Sequence, residues 1–96
     1  MRDEGGLARH LQKGNHMYHI YLLHSQSDPS QYYVGFTENM RERLAHHNSG
    51  ASIHTNKYRP WKLMVAISFA DRKNALAFER YLKSGSGRAF AARHFR

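Results

Sequence analysis

A chain of 96 residues with a formal net charge of +8, 41% hydrophobic and 12% aromatic residues, has the size of one small domain and can bury only a modest core. It contains no cysteine, which excludes disulfides and thiolate zinc sites, and no apolar run near the roughly 20 residues of a membrane span. Residues 1–16 lack the basic-then-apolar order of a secretory leader, so a cytoplasmic location is expected, and the excess of cations points to a polyanionic partner, nucleic acid first.

Residues 1–16 mix glycine, charge and scattered apolar side chains without a period and are expected to form a mobile extension. They hold three basic and two acidic residues, which leaves twelve and five, or +7, on the single domain expected over residues 17–96. The stretch from Tyr18, YHIYLLHS, is aromatic and aliphatic, and QYYVGFT at residues 31–37 repeats that character beyond a polar break containing Asp28 and Pro29. Two strands of a hairpin are predicted. A period of two places Tyr21 and Leu23 on one face of the first, and Tyr33, Gly35 and Thr37 on one face of the second.

Asn39 followed three residues later by Glu42 has the form of a helix cap, and Asn48-Ser49-Gly50 is a stop signal, so a short helix is predicted over about residues 40–48. On it Met40 and Leu44 face the core, and Arg43 and His47 share a neighbouring face one turn apart. Residues 49–60 are small, polar and basic and read as an exposed loop; WKLMVAISF then alternates Trp61, Leu63, Val65, Ile67 and Phe69 as a third strand. Asp71 caps a helix running to about Lys83 with Ala75, Phe78 and Leu82 on its apolar stripe. Ser84-Gly85-Ser86-Gly87 reads as a flexible break, with Ser86 capping a last short helix that carries Phe90 and Phe95 among Arg88, Arg93 and Arg96. The predicted class is α+β: a three-stranded, largely antiparallel sheet flanked by helices.

Several side chains in this frame suit phosphodiester hydrolysis, which needs an oriented water, positive charge on the phosphate oxygens and help for the leaving oxygen. Tyr21, Tyr33, Arg43, His47 and Glu79 are placed to converge at one end of the sheet. Glu79 is the most informative, because a carboxylate on an apolar stripe must be paired, for instance with a nearby arginine, hydrogen-bonded or metal-bound. The eight histidines are scattered, and adjacent His46 and His47 point about 100° apart on a helix, which does not make a zinc site. Lys57, Tyr58 and Arg59 mix charge with an aromatic ring and are candidates to grip a strand, as are Lys83 and Arg88 by charge.

Taken in order, His19-Ile20-Tyr21, Tyr33-Val34-Gly35, Arg43 and then Glu79, the chain resembles the GIY-YIG nuclease family over residues 17 to about 83. It looks most like the small stand-alone bacterial members, related to the catalytic domain of the excision-repair nuclease and of some homing endonucleases. The resemblance implies a DNA endonuclease, single-stranded or structured DNA being the expected substrate. It implies that Tyr21 and Tyr33 position or deprotonate the attacking water, that Arg43 contacts the scissile phosphate, that His47 stands beside them, and that Glu79 holds one Mg2+ or Mn2+. A binding module of the same fold without turnover is the alternative, and metal-dependent cleavage separates the two.

Overall fold

The computed structural model of the protein describes residues 16–96; residues 1–15 of the expected extension lie outside the described residues. Three strands, β1 (Tyr18–Ser25), β2 (Tyr32–Thr37) and β3 (Trp61–Phe69), form one sheet in the order β2-β1-β3, and both pairings are antiparallel. The helices are α1 (Met40–Ser49), α2 (Arg72–Leu82) and α3 (Gly85–His94), with a 3-10 turn at Asn56–Tyr58. The α+β class is as predicted, with the sheet wholly rather than largely antiparallel. Among the described residues no helix is long and apolar enough to cross a membrane.

Residues opposite one another in an antiparallel pair share a face. Tyr21 lies opposite Gly35 and Leu23 opposite Tyr33, so the two faces predicted for the hairpin are one face of the sheet. It forms a core of Tyr21, Leu23 and Trp61, against which Tyr33, Met40, Leu44, Tyr58 and Leu63 pack, and α1 covers it. The other face carries Ile20, Val34, Phe36 and Phe69 and is covered by Ala75, Phe78 and Leu82 of α2 and Phe90 and Ala91 of α3, with Phe95 beyond. Each large side chain buried here contributes about 1.5–3 kcal/mol relative to exposure.

A register shift between Leu22 and Leu23 divides the apolar alternation of β3 between these two cores. Trp61 and Leu63, opposite Ser25 and Leu23, belong to the α1 side. Val65, Ile67 and Phe69, opposite Leu22, Ile20 and Tyr18, belong to the α2 side. One extra residue in a strand lets an unbroken i, i+2 pattern serve both faces of the sheet.

The caps explain where the helices begin and end. Asn39 Oδ1 accepts the Glu42 amide at 3.1 Å, while the Asn39 amide is taken by Thr37 Oγ1 at 3.1 Å, not by the Glu42 side chain. Gly50 ends α1 at φ 84°, a left-handed position where glycine carries no steric cost. Asp71 caps α2 through the Lys73 amide at 2.8 Å.

The last helix departs from the sequence reading. Ser84, not Ser86, caps α3, accepting the Gly87 amide at 3.2 Å, so the expected flexible break is the helix's first turn. Gly87 is buried there, and a Cβ on it would stand 1.8 Å from the Tyr81 carbonyl oxygen and 2.5 Å from Leu82 Cα. Gly87 therefore serves close packing of α3 on the end of α2, while Gly85 faces open space.

Candidate active site

The site is built around a buried phenol. Tyr21 is 1% exposed on the central strand, and its ring lies across Gly35 of β2, where an added Cβ would meet the ring and hydroxyl at 2.3 Å. A side chain at residue 35 is excluded by space, not by backbone conformation. Gly35→Ala is expected to push the Tyr21 ring aside and lower stability by about 1–3 kcal/mol, the usual cost of overpacking, with a matching fall in denaturation midpoint.

Tyr21 Oη is 2.8 Å from Nε2 of His47, itself 2% exposed, and His47 Nδ1 is 2.7 Å from Oγ1 of Thr55, also buried. Thr55 is fixed in turn by its carbonyl, which accepts the Trp61 indole N–H at 2.9 Å. Tyr33 completes the aromatic group, its ring 5.0 Å from that of His47 and 6.3 Å from that of Tyr21.

Burial first, then the neighbouring phenol of Tyr33 and the carboxylate of Glu79, push the Tyr21 phenol above its ordinary value, and the Arg43 guanidinium partly opposes them. Tyr21 therefore keeps its proton at neutral pH. With its O–H donating to Nε2, the Nδ1–H of a neutral imidazole donates to Thr55. That neutrality has its own cause: burial first, then Arg43 and His46, hold His47 below the usual histidine value.

The sign of the resulting pH dependence follows. The folded chain resists a proton that the unfolded chain accepts near pH 6.5, so this contribution is complete above about pH 6.5 and is lost as pH falls toward the lower folded value. One proton limits the slope to about 1.4 kcal/mol per pH unit. Denaturant unfolding between pH 7.5 and 5.5 is expected to show a shallower acid loss in His47→Gln than in the natural protein. Parallel slopes would assign the loss to other histidines.

Arg43 is exposed on α1 one turn before His47, lining an open depression with Thr37, Glu42 and His46. Glu79 comes from α2, with its side chain 19% exposed and Oε2 3.0 Å from Lys83 Nζ. The expected arginine partner is thus a lysine one turn further along the same helix. Such a partly exposed i, i+4 pair contributes at most about 1 kcal/mol and yields readily to a stronger cation. Among the described residues no three His, Cys, Asp or Glu side chains form a metal-binding group, which leaves Glu79 as a single hard oxygen donor. One carboxylate is a fitting anchor for magnesium or manganese, which retain several waters.

Of the five predicted catalytic side chains, Tyr21, Tyr33 and His47 are in ring contact, and Arg43 and Glu79 bear on Tyr21 through their charge. The five predicted strand-binding residues fall in two groups. Lys57 is exposed, with its ammonium 5.3 Å over the Tyr58 ring; Tyr58 is half-buried against Trp61; Arg59 lies over Gly50. Lys83 and Arg88 instead line a separate cleft beside β2.

Sequence reasoning missed Thr55, because residues 49–60 read as exposed and nothing in a polar loop marks one threonine for burial. It also missed Asn48, read only as part of a stop signal. Its side chain accepts the Trp61 amide at 2.6 Å and donates to the Trp61 carbonyl at 3.1 Å, tying the end of α1 to the start of β3. His19, first residue of the first motif, meets Ser68 Oγ at 2.7 Å through Nδ1, outside the buried group.

A family model described as the GIY-YIG catalytic domain matches residues 17–91. The chain is 39% identical over 70 residues to a UPF0213 protein of Streptococcus pneumoniae serotype 4, covering 72% of this chain and 69% of that one. It is 41% identical over 73 residues to a structure-specific endonuclease subunit SLX1 homolog of Drosophila persimilis, and 38% identical over 69 residues to the SLX1 subunit of Scheffersomyces stipitis. These matches cover 67% and 65% of this chain but only 25% and 20% of the two relatives, so the chain spans about a quarter or less of their length. The GIY-YIG catalytic-domain model matches residues 17–91, which hold both tyrosine motifs, and this places the chain in the GIY-YIG family.

Proposed function

We propose that the protein is a cytoplasmic, divalent-metal-dependent endonuclease that hydrolyses phosphodiester bonds in DNA, with single-stranded or structured DNA as substrate. The observation that carries this reading is the convergence on Tyr21: a buried phenol bonded to His47, packed by Tyr33, with the opposed charges of Arg43 and Glu79 acting on it. The structure-specific endonuclease name borne by two of the relatives supports endonuclease activity on structured substrates, and the +8 charge supports a polyanion such as DNA. A cysteine-free chain suits a reducing compartment.

Each residue then has a part. Arg43, exposed at the rim, binds the scissile phosphate through paired N–H groups. Tyr33, half-buried beside the protonated Tyr21, orients the attacking water. His47 and Thr55 hold Tyr21 in one rotamer, so the phenol group arrives preorganised. Glu79 is the side chain that would hold the metal ion. When bound, Mg2+ or Mn2+ supplies positive charge to the non-bridging phosphate oxygens and lowers the pKa of water.

Labelled single-stranded, duplex and branched oligonucleotides incubated with Mg2+, Mn2+ or EDTA test the proposal. Cleavage with either ion and none in EDTA is the expected result. Salt-sensitive binding without turnover in any ion would make the protein a nucleic-acid-binding member of the family instead.

A further inference from the structure

Beside β2, on the sheet face opposite Tyr33, lies a cleft of about 250 Å³ that the catalytic group does not use. Its floor is apolar, from Leu22, Val34, Leu82 and Ala91. The charged side chains lining it are all cationic: Lys83 at the end of α2, which is paired with Glu79, Arg88 on α3 and Arg96 beyond it. Arg88 and Arg96 have no acidic partner among the described residues.

Arg96 is drawn to the cleft by an aromatic ring. Its guanidinium carbon lies 4.2 Å over the Tyr32 ring, and His24 stacks on Tyr32 at 4.3 Å and 8°. An exposed cation–π contact of this kind contributes about 0.5–1 kcal/mol and biases the guanidinium toward the cleft, where its planar fork suits an oxyanion. Gln31 adds an amide at the mouth; the Ser30 hydroxyl there is already donated to Asp28 at 2.7 Å.

The position of the cleft gives its meaning. β2 is an edge strand, and Tyr32 and Val34 line the cleft while Tyr33 between them faces the catalytic group. One strand thickness separates the two. Cations above an apolar floor match the chemistry of a nucleotide, with phosphate toward Arg88 and Arg96 and sugar or base on Leu22, Val34 and Leu82.

We infer that this cleft is a second substrate subsite, which binds one phosphate of the same nucleic-acid strand where that strand passes over the β2 edge next to the scissile bond. The inference rests on nucleic acid being the substrate, but not on cleavage. The phosphate is either an internal diester or a terminal monoester.

Equilibrium binding of a labelled single-stranded oligonucleotide in EDTA, with 5′-hydroxyl or 5′-phosphate ends, tests it. The variant is Arg88→Gln with Arg96→Gln; the control is Lys73→Gln, an exposed cation in the first turn of α2, about 15 Å along the helix from Lys83. The double variant is expected to bind about tenfold more weakly, with a salt slope smaller by about 0.7, the value for one phosphate on a single strand. Lys73→Gln is expected to change affinity less than twofold.

Loss with both kinds of end identifies an internal phosphate, and loss only with the 5′-phosphate end a terminal one. Affinity and slope equal to those of Lys73→Gln in both arms overturn the subsite. Arg88→Lys with Arg96→Lys should fold alike and recover part of the affinity, which a structural defect would not. Weakened binding without cleavage by the natural protein would sink the nuclease reading and leave the subsite standing; intact binding with active cleavage does the reverse.

Discussion

Glu79→Gln is expected to reduce metal-dependent cleavage by about 10²- to 10³-fold while leaving the fold intact. The size follows from what one carboxylate anchor controls: charge stabilisation at a transferring phosphate amounts to several kcal/mol, and each 1.36 kcal/mol of barrier is tenfold in rate. The fold is spared because glutamine keeps the shape and most of the hydrogen bonding. The lost ion pair with Lys83 contributes at most about 1 kcal/mol for groups 19% and 52% exposed.

Lys83→Gln is the companion that separates a metal anchor from a structural carboxylate. If Glu79 serves only to pair with Lys83, the two substitutions should match in stability and in cleavage. If Glu79 holds the ion, Glu79→Gln alone should raise the Mg2+ concentration needed for half-maximal rate. A rate within threefold of the natural protein at every Mg2+ concentration would remove Glu79 from the metal site.

The placement of these groups was legible in the sequence to the extent that it depends on period and caps. Alternation put Tyr21 with Leu23 and Tyr33 with Gly35, and the antiparallel register joins those pairs on one face. Asn39 and Asp71 marked both helix starts, because a short side-chain acceptor before an amphipathic run satisfies orphan amides locally. The resemblance carried Arg43 and Glu79 to the same locus.

What the sequence hid depends on contacts distant along the chain. A register shift leaves no mark in the alternation of residues 61–69, so the division of β3 between two cores could not be read from it. Thr55 is buried because His47 and Trp61 arrive from elsewhere to meet its hydroxyl and carbonyl. Ser86 read as the cap, but Ser84 takes that place, with Gly87 sitting against the Tyr81 carbonyl. The roles of the two tyrosines were likewise indistinguishable before their burial was known.

That burial predicts different failures for the two hydroxyls. Tyr33→Phe is expected to lower turnover about 10²-fold or more, within the range for a group acting on the nucleophile, with stability nearly unchanged. Tyr21→Phe removes the partner of His47 Nε2 inside a dry pocket, and a buried polar atom left unpaired costs about 1–3 kcal/mol. Its first effect is on the unfolding midpoint, and its effect on turnover follows from a looser site. His47→Gln breaks that bond and the Nδ1 bond to Thr55 as well, so it should cost at least as much stability, and Tyr21→Phe should add little to it. Unfolding curves and turnover numbers on the same preparations distinguish the roles. Loss of turnover at unchanged stability in Tyr21→Phe, with Tyr33→Phe active, would make Tyr21 the reacting phenol and require its pocket to open before water can be attacked.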